Sequence, residues 1–126
     1  MKPLTELIIC TTCRTVDTPR DQRAAGEILH EAVQSAQAFG DQPEWAQVQV
    51  RAMACLSGCS RSCTAAYQAA GKHSYLFGDL AATDEVARQL LDCAVLHQQS
   101  VDGNLPRDQR PAALVPGMIA RLPPML

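Results

Sequence analysis

Few aromatic residues and no long hydrophobic run occur in this sequence. Phe, Trp and Tyr together make up 4% of its 126 residues. The apolar run near the N-terminus covers only residues 7–9, which is too short for the core of a signal peptide or for a membrane-spanning helix. We therefore expect a cytoplasmic protein that does not associate with membranes.

An excess of either charge is also absent, as are the common catalytic motifs. The formal net charge is −2 and the arginines are spread along the chain, so nothing favours binding to nucleic acid. The sequence has no phosphate-binding glycine loop, no GxGxxG motif and nothing that resembles a Ser-His-Asp set. Hydrophobic residues make up 47% of the sequence, so we expect a single domain with its own core. We also expect that the protein is not an enzyme by itself.

What the sequence does contain is six cysteines, five of which lie in two short clusters. The first cluster, CTTC, holds Cys10 and Cys13, and the second, CLSGCSRSC, holds Cys55, Cys59 and Cys63. Cytoplasmic thiols stay reduced, so clustered cysteines in that compartment are metal ligands or catalytic groups more often than disulfides.

The first half of the chain predicts a strand, a helix and a second strand. Residues 4–9 form a short buried strand that leads into the first cysteine cluster. The helix that follows is capped by Thr18, has Pro19 in its first position and stops at Gly40. In the second strand, AQVQVRA, alternating residues face the core: Val48, Val50 and Ala52.

The second half predicts a hairpin, a second helix and an arm. Two strands, TAAYQAA and HSYLFGDL, flank a tight turn at Gly71-Lys72, and the second helix begins at Thr83. Five of the eight prolines follow residue 101, so residues 101–126 are expected to form an extended arm packed on a domain of residues 1–100. The order β-α-β-β-β-α predicts an α/β fold with a mixed four-stranded sheet, a thioredoxin-like arrangement.

Both cysteine clusters begin where a predicted strand ends. A crossover helix makes the first two strands parallel, and sites in open α/β sheets gather beyond the carboxyl ends of such strands. The cysteines that can converge at that edge of the sheet are Cys10, Cys13, Cys55 and Cys59. Four thiolates around one point are the ligand set of an iron–sulfur cluster or of a structural zinc ion.

The residues between the cysteines suit a buried, negatively charged centre. Gly58 permits close approach of the backbone. Hydroxyls that can donate hydrogen bonds near the sulfurs belong to Thr11, Thr12, Ser57 and Ser60. Positive charge beside the cysteines is supplied by Arg14, Arg51 and Arg61. These arginines are equally consistent with ordinary surface positions.

Two other functions agree with some of these features. CxxC after a first strand is typical of thiol-disulfide oxidoreductases, but those enzymes share a proline before the third strand, where Cys63 and Thr64 stand here. Thiolate ligands also suit zinc or cobalt, which would indicate a metal-binding protein or metal chaperone without redox chemistry.

The remaining cysteine and the histidines are expected to have no part in metal binding. Cys93 lies on the second helix, where a buried thiol behaves as a small apolar residue. Each of the three histidines is expected to be a surface or packing residue: His30, His73 and His97.

Four segments of the chain carry a family resemblance. CTTCR, CLSGCSRSCT, GKHSYLFGDL and IARLPP are similar to a family of small bacterial predicted metal-binding proteins, described as ferredoxin-like and linked with cobalamin-related genes. CTTC followed by a helix and CLSGC also resembles the thioredoxin-like [2Fe–2S] ferredoxins and the related small subunit of respiratory NADH dehydrogenase. The resemblance extends over nearly the whole chain and implies a cluster-binding, thioredoxin-like fold.

By position, the resemblance implies that Cys10, Cys55 and Cys59 are cluster ligands. Cys13 is the natural fourth ligand, although the ferredoxins have more residues between their first two cysteines. Cys63 is an additional thiol that could replace Cys13, serve a different cluster or act as a resolving thiol. The implied cofactor is a [2Fe–2S] cluster, and the alternative is Zn²⁺ or another metal.

The resulting hypothesis is a ferredoxin-like protein that transfers single electrons. The resemblance implies a protein partner, either a reductase or a cobalt–corrin enzyme. It also implies a homodimer, since thioredoxin-like ferredoxins pair.

Overall fold

Seven regular elements form an α/β fold in the part of the chain that the computed structural model describes, residues 4–12, 14, 22–40, 42–54, 56, 61 and 63–125. The strands are β1 (Glu6–Cys10), β2 (Gln49–Met53), β3 (Ala65–Gln68), β4 (Ser74–Phe77) and β5 (Met118–Leu122). The helices are α1 (Ala25–Phe39) and α2 (Asp84–Gln99). Neither helix in these ranges has the length and apolar character that crossing a lipid bilayer requires.

The strands form one mixed sheet in the order β2-β1-β3-β4-β5. β1 and β2 are parallel, as the predicted crossover requires, and the other neighbouring pairs are antiparallel. The sheet has five strands instead of the predicted four, because residues 118–122 pair with β4. Prolines flank this stretch but do not interrupt it, so its backbone N–H groups are available for pairing.

Both helices pack on the sheet and against each other, and the core lies between these two layers. Alternating strand residues that point into the core are fully buried: Leu7, Ile9, Ala65, Tyr67 and Phe77. The helices contribute Leu29, Val33, Leu90, Leu91 and Ala94. Each large apolar side chain buried in this way stabilises the fold by roughly 1.5–3 kcal/mol.

The predicted start of α2 and the predicted end of α1 are confirmed, but the predicted start of α1 is wrong. Thr83 caps α2 by accepting a hydrogen bond from the Val86 N–H at 3.2 Å. Gly40 ends α1, where its N–H donates to Ala36 O at 2.8 Å. α1 begins at Ala25, since residues 22–24 are described and are not helical. The predicted cap, Thr18 with Pro19, lies outside the described residues.

The hairpin and the second strand are present, with one difference in burial. The hairpin turn holds Gly71 at φ +74°, in the left-handed region that favours glycine. Val48 is buried and Val50 is half-buried, as predicted, whereas Ala52 is exposed. β2 is an edge strand that stays paired with β1 up to Met53, two residues before the second cysteine cluster.

A buried polar network joins the end of α2 to the sheet. His97 is fully buried; its Nε2 lies 2.7 Å from His73 O, and its Nδ1 lies 2.8 Å from Thr5 Oγ1. Because a carbonyl oxygen only accepts, Nε2 carries the proton and the Thr5 hydroxyl donates to Nδ1. Lys72 is also buried and donates to the carbonyl oxygens of His97 and Gln98, at the end where the helix dipole favours a cation.

We expect the stability of the fold to decrease below about pH 6.5 because of His97. Burial, with the nearby charges of Lys72 and His73, lowers the pKa of His97 in the folded state. The unfolded chain therefore binds a proton before the folded chain does, and the free energy of unfolding falls as the pH drops from about 6.5 towards the folded-state pKa. Urea unfolding at several pH values between about 8 and 5 measures this slope.

Two matched glutamine variants isolate the contribution of His97. His97→Gln is expected to flatten the pH dependence, whereas His30→Gln on α1 is expected to keep it. An unchanged slope in His97→Gln between about pH 7 and 5 would contradict the assignment.

Candidate metal centre

The two cysteine clusters begin at the same edge of the sheet. β1 ends at Cys10 and pairs in parallel with β2, so that Cys10 stands opposite Met53. The Thr11 N–H then donates to Met53 O at 2.9 Å, which continues the pairing one residue beyond β1. Cys55 itself lies outside the described residues, but the chain reaches it two residues after Met53. The parallel arrangement that the convergence requires is therefore present.

Cys10 is fully buried at this edge. Its Sγ lies 3.7 Å from Thr12 Oγ1 and 3.8 Å from Ala54 O. The Thr12 hydroxyl in turn donates to Ala54 O. The Cys10 sulfur thus lies beside the residue that immediately precedes Cys55.

Cys63 lies at the same end of the sheet, on the other side of β1. The Cys10 N–H donates to Thr64 O at 3.2 Å, so the ladder between β1 and β3 continues to the residue after Cys63. Cys63 exchanges two backbone hydrogen bonds with Leu80, of 3.2 and 3.1 Å, and is fully buried. Cys63 precedes β3 and, like Cys10, belongs to the buried core cluster.

Several of the predicted site residues lie outside the part of the chain that the structure describes. They are Cys13, Cys55, Ser57, Gly58, Cys59 and Ser60. Among the described residues, no group of three or more His, Cys, Asp or Glu side chains is arranged to hold a metal ion. Of the predicted ligands, the described residues include two buried cysteines, Cys10 and Cys63, and the Cys10 sulfur lies beside Ala54, directly before Cys55. Thiolate sulfur is a donor that iron–sulfur clusters and zinc both accept, so the donor chemistry fits either group.

The arginines near the cysteines have partners in the structure. Arg61 forms a bidentate ion pair with Asp79, in which Nε lies 2.9 and 3.0 Å from the carboxylate oxygens and Nη2 lies 2.5 Å from Oδ2. Hydrogen bonding to Arg61 and its charge lower the pKa of Asp79. Arg51 pairs with Glu6 at 2.9 Å, and Arg14 donates to Gln22 O at 2.5 Å. Much of the positive charge of Arg61 is thus balanced by Asp79.

Asp79 has a structural role that its sequence context, a loop position after glycine, does not indicate. It is the non-glycine residue with a positive φ, 59°, in the described part of the chain. Its N–H donates to Arg61 O at 2.7 Å, so Asp79 holds both the backbone and the side chain of Arg61. The pair is 18 residues apart, and the only local signal was a Gly-Asp step after a strand. Asp79 fixes the end of the second cysteine cluster to the end of β4.

Cys93 packs in the core, as expected from its place on α2. It is fully buried, and burial raises the pKa of its thiol to about 12. The neighbouring Tyr67 hydroxyl donates to Leu90 O at 2.6 Å. Burial therefore keeps the Cys93 thiol protonated at neutral pH, as is typical of a cysteine packed in a core.

Comparison with known proteins gives a family and a fold. The family model described as "Protein of unknown function (DUF1636)" matches residues 7–124. A solved structure, a thioredoxin-like [2Fe–2S] ferredoxin from Aquifex aeolicus, is similar over 98% of both chains, with a TM-score of 0.58 and 12% identity. No curated protein matches significantly. The structural likeness confirms the predicted thioredoxin-like fold.

Proposed function

We propose a [2Fe–2S] electron-transfer function for this protein, which belongs to the DUF1636 family. The ligands in this proposal are Cys10, Cys13, Cys55 and Cys59. The observation that carries it is the parallel pairing of β1 and β2, with the Cys10 sulfur 3.8 Å from Ala54 O, directly before Cys55. The thioredoxin-like fold shared with a [2Fe–2S] ferredoxin supports the same proposal, at the level of the fold.

Each part of the proposed site has a defined task. The bound cluster supplies one-electron exchange, which cysteine side chains alone do not provide. Burial of Cys10 removes its sulfur from water, which limits hydrolysis of metal–sulfur bonds. Hydrogen bonds from nearby hydroxyl or amide groups to the sulfurs would offset the cost of burying negative charge.

A thiol-disulfide oxidoreductase is a weaker interpretation of the same cysteines. Residues 63 and 64, which precede β3, are Cys63 and Thr64, and residues 44–105 contain no proline. Thioredoxin-type enzymes place a proline before that strand, facing their CxxC. The backbone of Cys63 is instead paired with Leu80 in the core.

Anaerobic purification followed by absorption spectroscopy and by iron and sulfide analysis tests the proposal. We expect a red-brown protein with about two irons and about two acid-labile sulfides per chain. A colourless protein with about one zinc per chain and no sulfide would replace the proposal with a zinc site. Apoprotein that takes up neither iron nor zinc would contradict both the cluster and the zinc site.

The fourth ligand is tested by two serine variants. Cys63 is buried with its backbone paired to Leu80, so Cys63→Ser is expected to keep the absorption spectrum, with some loss of stability from a buried hydroxyl. Cys13→Ser is expected to lose the cluster. The reverse result would make Cys63 a ligand and Cys13 dispensable.

The cellular setting is also part of the proposal. The protein would act in the cytoplasm, without activity of its own, by exchanging electrons with a protein partner. The family resemblance favours a reductase or a cobalt–corrin enzyme as that partner, and a homodimer as the working form. Co-purification with a cobalt–corrin enzyme, and electron transfer between the two purified proteins, would test this.

A further inference from the structure

Thr12 contacts both the Cys10 sulfur and the backbone that directly precedes the second cysteine cluster. It directly precedes Cys13, and its hydroxyl donates to the carbonyl oxygen of Ala54, which directly precedes Cys55. The same hydroxyl oxygen lies 3.7 Å from the Cys10 sulfur. One exposed side chain therefore contacts the sulfur of the first cluster and the backbone at the start of the second.

The hydrogen bonds that the Cys10 sulfur can form change when the thiol loses its proton. A thiol S–H can donate to Ala54 O, 3.8 Å away, or to Thr12 Oγ1. A thiolate bound to metal only accepts hydrogen bonds, and a carbonyl oxygen offers it nothing. The Thr12 hydroxyl can rotate from Ala54 O towards the sulfur and donate to it.

We propose that Thr12 is a positioning residue that donates an O–H···S hydrogen bond to the metal-bound Cys10 thiolate. This inference rests on the proposed function for its redox part, but it also applies to any metal that Cys10 binds. A donor to a ligand sulfur stabilises negative charge, and the reduced cluster carries more of it than the oxidised one. Thr12 therefore raises the reduction potential of the cluster and strengthens metal binding.

Three substitutions separate this role from simple loop packing. Thr12→Val keeps the shape and removes the hydroxyl, whereas Thr12→Ser keeps the hydroxyl. Thr11→Val is the matched control: the Thr11 hydroxyl also links the first cluster to β2, by donating to Met53 O at 3.3 Å. If Thr12 only tied the two segments together, Thr11→Val and Thr12→Val would behave alike.

Two readouts are measured on the whole chain. Potentiometric titration gives the reduction potential of the cluster-loaded protein, and competition with a chromophoric chelator gives the Zn²⁺ affinity of the apoprotein. We expect Thr12→Val to lower the potential and to weaken Zn²⁺ binding by roughly 10-fold or more. We expect Thr12→Ser and Thr11→Val to match the unsubstituted protein in both.

The outcomes distinguish this inference from the proposed function. If the unsubstituted protein holds no cluster but binds Zn²⁺, the proposed function fails and the zinc arm alone decides the role of Thr12. If Thr12→Val equals the unsubstituted protein in both readouts, or if Thr12→Ser behaves like Thr12→Val, the inference is overturned. Apoprotein that binds neither metal overturns both.

Discussion

Substitution of Cys10 by serine is expected to give a colourless protein whose iron content falls roughly tenfold or more. The buried Cys10 sulfur lies 3.8 Å from Ala54 O, directly before Cys55, and serine would replace this proposed ligand with a poorly ionised hydroxyl. A centre with one ligand missing at its buried side would be open to water and lost during purification. The absorption spectrum and the iron and sulfide content measure the effect.

Cys93→Ser provides a matched control for that experiment. Cys93 is as fully buried as Cys10, so both substitutions place a hydroxyl in the core, at a cost of roughly 1–3 kcal/mol. Only Cys10 lies beside the second cysteine cluster. We therefore expect Cys93→Ser to be destabilised but coloured. A red-brown Cys10→Ser protein, or equal loss of colour in both variants, would contradict the proposed ligand.

Substitution of Gly78 by alanine is expected to decrease the free energy of unfolding by about 1–3 kcal/mol and to weaken retention of the cluster. A Cβ at Gly78 would lie 2.7 Å from the backbone oxygen of Arg61 and 2.7 Å from Ile119 Cδ1. The Gly78 N–H also donates to Gly117 O at 2.8 Å, so β4 cannot easily move away. Arg61 belongs to the second cysteine cluster, and its displacement would disturb the residues that precede it.

Gly71→Asn is the control for Gly78→Ala. No heavy atom lies within 4 Å of a Cβ at Gly71, and asparagine tolerates its φ of +74°. We expect a change below about 1 kcal/mol in the free energy of unfolding and no change in iron content. Urea unfolding and iron analysis of both variants measure the difference. A stable, fully loaded Gly78→Ala protein would show that the close approach of β4 to Arg61 has no part in holding the cluster.

The elements with a clear local pattern were predictable from the sequence. The apolar period of α2, with Thr83 as its cap, and the two strands around Gly71 were found because residues within a few positions of one another specify them. β5 was missed because it is an edge strand that is exposed over most of its length, so no apolar alternation marks it. The start of α1 was misplaced because Thr18 and Pro19 offered a cap, whereas the helix begins after Ala24 with no side-chain cap.

Parts of the candidate site were predictable for the same reason. A cysteine that directly follows a buried apolar run is visible in the sequence, and Cys10 ends β1 as that pattern indicates. The partners of the arginines were not predictable. Arg61 and Arg51 were candidates to offset cluster charge, yet their guanidinium groups pair with Asp79 and Glu6, which lie far from them in sequence. The burial of His97, whose ring forms hydrogen bonds with Thr5 and His73, was not predictable for the same reason.

The sequence by itself determined which residues are the candidates for the chemistry: two groups of cysteines, each placed after a predicted strand, in a chain of thioredoxin-like element order. The crossover already predicted that β1 and β2 are parallel, but only the tertiary structure gave the pairing register that brings the Cys10 sulfur to Ala54. It also decided that Thr12 bridges the two segments and that Asp79 holds Arg61. The physical reason is the separation of the interacting residues along the sequence. Strand and helix patterns come from near neighbours in the chain. These contacts join residues tens of positions apart, and they form only when the strands have taken their order in the sheet.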